Sequence, residues 1–234
     1  MLTTPYRGVL IVGAGLGLGA SLARAFTRDA GLQVIVAARR REKLETIAQE
    51  TGAGVMTCDS TDAVAVAELF DQATRHLGAP PDVVVYNASQ RVRGPFVDVD
   101  AAAVAQAVSV TAYGAFLVAQ QAARRMVPQG RGAILFTGAS ASVKGYPQSA
   151  AFAMGKFALR GLAQSMAREL APQGIHVGHI VIDGGIRPSG DAADAGKNER
   201  LDPDAIASTY LHLLAQPRSA WTWEIEVRPW VERF

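Results

Sequence analysis

The chain has 234 residues, 49% hydrophobic and 19% charged, ordinary for a globular protein and enough for one α/β domain with a sizeable core. Its net charge of +2 gives no reason to expect nucleic acid or a membrane surface as partner. The lone cysteine, Cys58, excludes an intrachain disulfide, and His76, His176, His179 and His212 are not clustered at metal-ligand spacings, so no metal site is expected.

Residues 1–7 hold no apolar run, and no unbroken stretch of 18 apolar residues follows. The expectation is therefore no signal peptide, no membrane span and a cytoplasmic protein. In chain order the pattern predicts a buried strand over 9–12 (VLIV) and a helix over about 17–30. A strand over 34–38 (VIVAA) precedes a charged helix over 40–50, and a short strand covers 54–58. Asp62 is placed to cap a helix running to His76. A strand over 83–86 (VVVY) leads into a long helix over roughly 101–126. Strand 133–137 (AILFT) and a second long helix, 150–170, follow, with Pro172 and Gly174 ending the helix. Strand 176–182, a helix from Asp202 and Pro203 to about Ala215, and a last strand over 224–227 complete the chain.

This alternation predicts an α/β fold, a doubly wound parallel sheet of about seven strands of the Rossmann type, as a single domain over 1–234. Continuous Val/Ile/Leu runs agree, because such strands are covered on both faces. A polar loop, 187–200, falls between the sixth strand and the next helix. It suits an ordinary surface loop or a substrate-side lid equally.

The turn after the first strand reads Gly13-Ala-Gly15-Leu16-Gly17-Leu18-Gly19. Glycines there permit a tight turn and close approach of a phosphate, and the helix start offers free N–H groups to the anion. The motif sits in the strand–turn–helix context that a dinucleotide site requires.

The spacing of Gly13, Gly17 and Gly19 resembles that of the short-chain dehydrogenase/reductase family, and the resemblance continues along nearly the whole chain. Asp59, followed by Ser60, matches the family's adenine-contacting Asp. Asn87-Ala88-Ser89, preceded by Tyr86, is similar to its Asn-Asn-Ala-Gly motif. Lys156 matches its active-site Lys, and Gly184 and Ile186 resemble its Pro-Gly-x-Ile motif. The resemblance implies a nicotinamide cofactor bound by these residues, a small-molecule substrate, and association as a homodimer or homotetramer through the Lys-bearing helix and the last strand.

Where an acid after the second strand would accept the ribose hydroxyls of NAD, this chain has Arg39, Arg40 and Arg41. An arginine can grip a 2′-phosphate with paired hydrogen bonds, which favours NADP over NAD, with Arg39 as first ligand and Arg40 as second. Arg41 suits a solvated helix start.

The expected chemistry is less complete. Typical family members place a Tyr four residues before the Lys, a Ser thirteen residues before that Tyr, and an Asn in the preceding long helix. Here those positions hold Phe152, Ala139 and Thr111, and Asp183 and Pro188 replace a Pro and a Thr around Gly184. Phe152 has no exchangeable proton and cannot act as a general acid, a role worth roughly 10²–10⁴ in rate. Ser140 and Tyr146 are the candidate substitutes, with Ser142 nearby. Arg91 and Arg93 suit a solvated loop, or a pocket wall that favours an anionic substrate. Trp221, Trp223, Trp230 and Phe234 suit packing or subunit contact, and core or surface roles suffice for His76, His176 and His179. Two functions follow: an NADP-dependent oxidoreductase with an altered proton source, or an NADP(H)-binding sensor or partner subunit without turnover. The family's default activity favours the first.

Overall fold

The computed structural model describes residues 5–188 and 198–232. Seven strands form one sheet in the order β3-β2-β1-β4-β5-β6-β7, and every pairing is parallel. They are β1 Gly8–Val12, β2 Gln33–Ala38, β3 Gly54–Thr57, β4 Val83–Tyr86, β5 Gly132–Thr137, β6 Ile175–Ile182 and β7 Glu224–Val227. The helices are α1 Leu18–Arg24, α2 Glu42–Thr51, α3 Ala63–Leu77, α4 Ala101–Val108, α5 Gly114–Met126, α6 Ala150–Leu170 and α7 Pro203–Ala215.

Alternate strand residues feed two cores. Val9, Ile11, Val34 and Val36 face α1 and the turn after it, α2 and α7, where Leu22, Phe26, Leu44 and Tyr210 meet them. Leu10, Val12, Ile35 and Phe136 face α3, α5 and α6, where Phe70, Val118 and Leu159 meet them. A strand with apolar side chains at every position is stable only between two helical layers, which is why the unbroken runs mark the centre of the sheet. Asp62 caps α3 by accepting from the N–H groups of Val64 and Ala65.

Two helices depart from the uniform periodicity expected of them. The segment after α1 is a π-turn, Ala25–Asp29. The long helix over 101–126 is broken into α4 and α5 by a second π-turn, Ser109–Tyr113. One extra residue per turn leaves the apolar spacing nearly intact, so the pattern alone cannot reveal it. The charged helix begins at Glu42, because Arg41 is its N-cap.

The stretch Ala101–Gln129 is long and apolar enough to cross a membrane by length and composition, with a mean hydropathy of 1.6 over an 18-residue window. Here its inner face lies against the sheet through Ala115, Val118, Ala122 and Met126.

The order in which strands are added reverses between β1 and β4, which are neighbours although β2 and β3 intervene in sequence. A parallel sheet opens a ligand crevice outside the carboxyl ends of its strands at such a point.

Candidate functional site

At that crevice the glycine turn is pinned on both sides. The N–H groups of Gly13 and Ala14 donate to the Ala37 carbonyl at 2.8 and 3.2 Å. Asn87 Nδ2 donates to the Gly13 carbonyl at 2.9 Å, and the Asn87 N–H donates to Val12. Gly13 adopts φ +84°, and a Cβ there would overlap the backbone N and Cα of Ala88. A Cβ at Gly19 would lie 2.8 Å from Ala14 Cα. These two glycines serve close backbone packing. Gly15 and Gly17 differ, since a Cβ at either meets nothing within 4 Å. They face the open space in which a phosphate would lie at the start of α1, beside exposed Leu16 and buried Leu18.

Arg39 and Arg40 leave the end of β2 exposed to solvent. Arg41 pairs with Glu45 one helical turn on, the solvating role its position suggested. Asp59 Oδ1 accepts from the Thr61 N–H at 2.9 Å and the Thr61 hydroxyl at 2.7 Å. Those two bonds hold its carboxyl below the usual carboxylate range, with a smaller contribution from the charge of Arg39. Ser60, named with Asp59 in the sequence, is buried with its hydroxyl 3.0 Å from Tyr86 Oη. Tyr86 in turn donates to the Val110 carbonyl in the π-turn. This pair fastens β4 to the π-turn and directs the Ser60 side chain inward.

A cleft of about 920 Å³ adjoins the turn. Its wall brings together Asn87, Ser140, Tyr146, Lys156, Gly184 and Ile186, expected on sequence to meet. Lys156 is 2% exposed, and its Nζ donates to the Thr137 carbonyl at 2.6 Å. Burial first, and the charge of Arg91 second, lower its pKa from 10.5 to about 7. Gly184 has φ +147°, where a Cβ would lie 2.8 Å from Pro229 Cδ. Ile186 bridges to Leu201. Most of the polar 187–200 loop, residues 189–197, lies outside the described residues, as does Phe234.

Phe152 and Ala139 also line the cleft. Ser142 does not, because its fully buried hydroxyl accepts from the Ala139 N–H at 3.1 Å and lies 3.4 Å from His179 Nε2. His179 Nδ1 is 3.0 Å from Glu224, which Arg160 grips with two bonds at 2.6 and 2.7 Å. Burial lowers the His179 pKa to about 4, so the ring is neutral and links β7 to the loop carrying Ala139 and Ser140. His176 Nε2 is 2.9 Å from the Thr222 carbonyl, and its ring stacks on Trp221 at 4.7 Å. Both histidines therefore have the core roles that sufficed for them on sequence, with partners far away in the chain.

Thr111 sits in the π-turn, fully buried, and its hydroxyl accepts from the Gln90 N–H at 3.3 Å. Asp183 is held by Lys144 at 3.3 Å and Arg228 at 3.0 Å.

Arg91 and Arg93 are both exposed, as a solvated loop would leave them, and both also line the cleft, so the two readings the sequence allowed hold together. The Arg91 guanidinium carbon lies 4.4 Å from the Phe152 ring centroid, and Lys156 Nζ lies 5.7 Å from the same centroid. The available signal was that Arg91 closely follows Asn87, at the carboxyl end of the strand next to β1.

Comparison with known proteins gives a consistent result. A family model described as short chain dehydrogenase matches residues 7–193. A short-chain dehydrogenase from Rhodopseudomonas palustris is 34% identical and superposes with a TM-score of 0.82, over 96% of this chain and 99% of that one. A metagenomic short-chain oxidoreductase, solved in complex with NADP, is 26% identical with a TM-score of 0.83, covering 97% of this chain and 98% of its own. A cyclic-di-GMP-binding biofilm dispersal mediator protein of Escherichia coli is 32% identical over 82% of this chain and 78% of its own length.

Proposed function

This chain belongs to the short-chain dehydrogenase family, and we propose that it binds NADP(H) and passes a hydride between that cofactor and a small carbonyl compound or alcohol. The carrying observation is one cleft whose wall holds buried Lys156, Asn87 and Leu18, the last of these at the end of the open glycine turn. Gly15 and Gly17 leave room for the pyrophosphate, and exposed Arg39 is available to the 2′-phosphate. The relative solved with NADP supports the same cofactor.

When bound, the nicotinamide would supply or accept the hydride. The chain's own work is positioning and proton handling. Lys156 would hold the nicotinamide ribose, and with a pKa of about 7 it can exist in either protonation state near neutrality. Ser140 and Tyr146, both in the cleft wall, are the hydroxyls available to the substrate oxygen in place of the family's phenol. The apolar faces of Met154 and Phe157 on α6 are exposed and suit a second copy of the chain, giving a homodimer or homotetramer.

A second reading, a cofactor-binding sensor without turnover, draws on Phe152 and Ala139, which place no exchangeable side-chain proton where the family has its Tyr and Ser. The name of the cyclic-di-GMP-binding relative lends it some weight.

Fluorescence titration with NADPH and NADH, followed by a ketone panel monitored by NADPH oxidation, tests both. The expected result is tighter binding of NADPH, reversed or abolished in Arg39→Ala with a loss of about 10- to 100-fold in NADPH affinity. Equal binding of the two cofactors would sink the Arg39 assignment. Tight NADPH binding with no oxidation across the panel would favour the sensor.

A further inference from the structure

The charges around the cleft do not balance locally. Arg91, Arg93 and Lys156 line it, together with two carboxylates, Asp183 and Glu232. Asp183 is already matched by Lys144 and Arg228, and Glu232 is exposed and forms no ion pair with either arginine. Among the described residues Arg91 and Arg93 make no ion pair or hydrogen bond. Arg91 is exposed at the cleft mouth, and partial burial, then the charge of Arg93, push its pKa down.

Arg91 is also positioned. Its guanidinium carbon lies over the Phe152 ring at 4.4 Å, within the range of a cation–π contact. A ring face restrains the head group without consuming an N–H donor. The planar fork stays free for a carboxylate, which it can take with two parallel bonds. Phenylalanine at 152 thus acts as a platform for a cation in the place where the family keeps a phenol. Ser140 and Tyr146 line the same cleft and are available to a second polar group of the ligand.

We propose that Arg91, stacked on Phe152, anchors a carboxylate subsite, and that the ligand taken beside the nicotinamide is a carboxylate-bearing carbonyl compound or the corresponding hydroxy acid. The proposal rests on the reading above for the cofactor's place. Arg93, in the same cleft wall, adds to the attraction.

The test uses the whole protein saturated with NADP⁺, so that a bound ketone cannot be reduced. The probes are levulinate with methyl levulinate, and 4-acetylbenzoate with its methyl ester, titrated calorimetrically. The wild-type protein is expected to bind each acid at least about tenfold more tightly than its ester, the scale of one charge-assisted pair. Arg91→Met should bring that ratio close to one while the ester affinity changes little. Arg91→Lys should keep an intermediate preference, since it retains the charge and loses the fork. Equal binding of acid and ester by the wild type, or an acid preference surviving in Arg91→Met, would overturn the proposal. Failure of the wild type to bind NADP⁺ would instead remove the cofactor reading. The acid–ester comparison on the free protein then decides the role of Arg91 alone.

Discussion

Replacing Lys156 by Met should make the fold more stable at pH 6 while removing the group proposed to hold the ribose. The Lys156 pKa falls from 10.5 to about 7 on burial in the folded state. At about 1.4 kcal/mol for each pKa unit, the fold carries a penalty of about 5 kcal/mol at or below pH 7. Methionine removes that penalty but leaves the buried Thr137 carbonyl without its donor, at a cost of about 1–3 kcal/mol. The net gain is about 2–4 kcal/mol at pH 6. Between about pH 7 and pH 10.5 the unfolded chain keeps the lysine proton that the folded chain has lost, so wild-type stability rises with pH across this window. At pH 9 the remaining penalty is about 2 kcal/mol, close to the cost of the lost hydrogen bond, and the two proteins should be nearly equal. Urea unfolding of both proteins at pH 6 and pH 9, without cofactor, measures the difference, and other titrating groups cancel in the comparison. A K156M protein less stable than wild type at pH 6, or a difference that does not change with pH, would refute the reasoning.

Two further outcomes separate packing from ligand binding. Gly13→Ala should destabilise by about 2–5 kcal/mol, because the φ of +84° and the overlap with the Ala88 backbone both oppose a Cβ. Gly15→Ala, with open space at its Cβ, should change stability by under about 1 kcal/mol yet weaken NADPH binding at least tenfold, as paired unfolding and fluorescence titrations would reveal. If Ser140 and Tyr146 supply the proton, Tyr146→Phe combined with Ser140→Ala should lower the rate of NADPH oxidation on any accepted ketone by about 10²-fold or more. Unchanged turnover in the double variant would point to water or Lys156 as the source.

Much of the fold was legible because its signals are local. The unbroken runs in β1 and β4, the Asp62 cap and the turn glycines each report on a few neighbouring residues. The π-turn at Ser109–Tyr113 was not legible, since it alters the helix by one residue and is held from outside, by Tyr86 on the Val110 carbonyl. The same division runs through the site. The glycine turn could be placed from its strand–turn–helix context, and Lys156 only through the resemblance to the family's motif. The sequence could not separate Ser140 from Ser142, which differ only in which way a short 3₁₀ turn points them; one faces the cleft and the other faces His179.

By itself, then, the amino-acid order determined a parallel sheet with helices on both faces and a glycine-rich turn after β1, which follow from apolar periodicity and residue type within one strand–helix unit. The expectations for Lys156 and Phe152 came instead from the resemblance to the short-chain family. Only the tertiary structure decided that Arg91 lies over the Phe152 ring. Phe152 and Lys156 are neighbours one turn apart on α6, but Arg91 comes from the loop after β4, and its distance to the ring depends on how α6 packs against the rest of the fold. The glycine turn is thus a local feature of one strand–helix unit, whereas the cation stacked on the Phe152 ring joins segments about sixty residues apart.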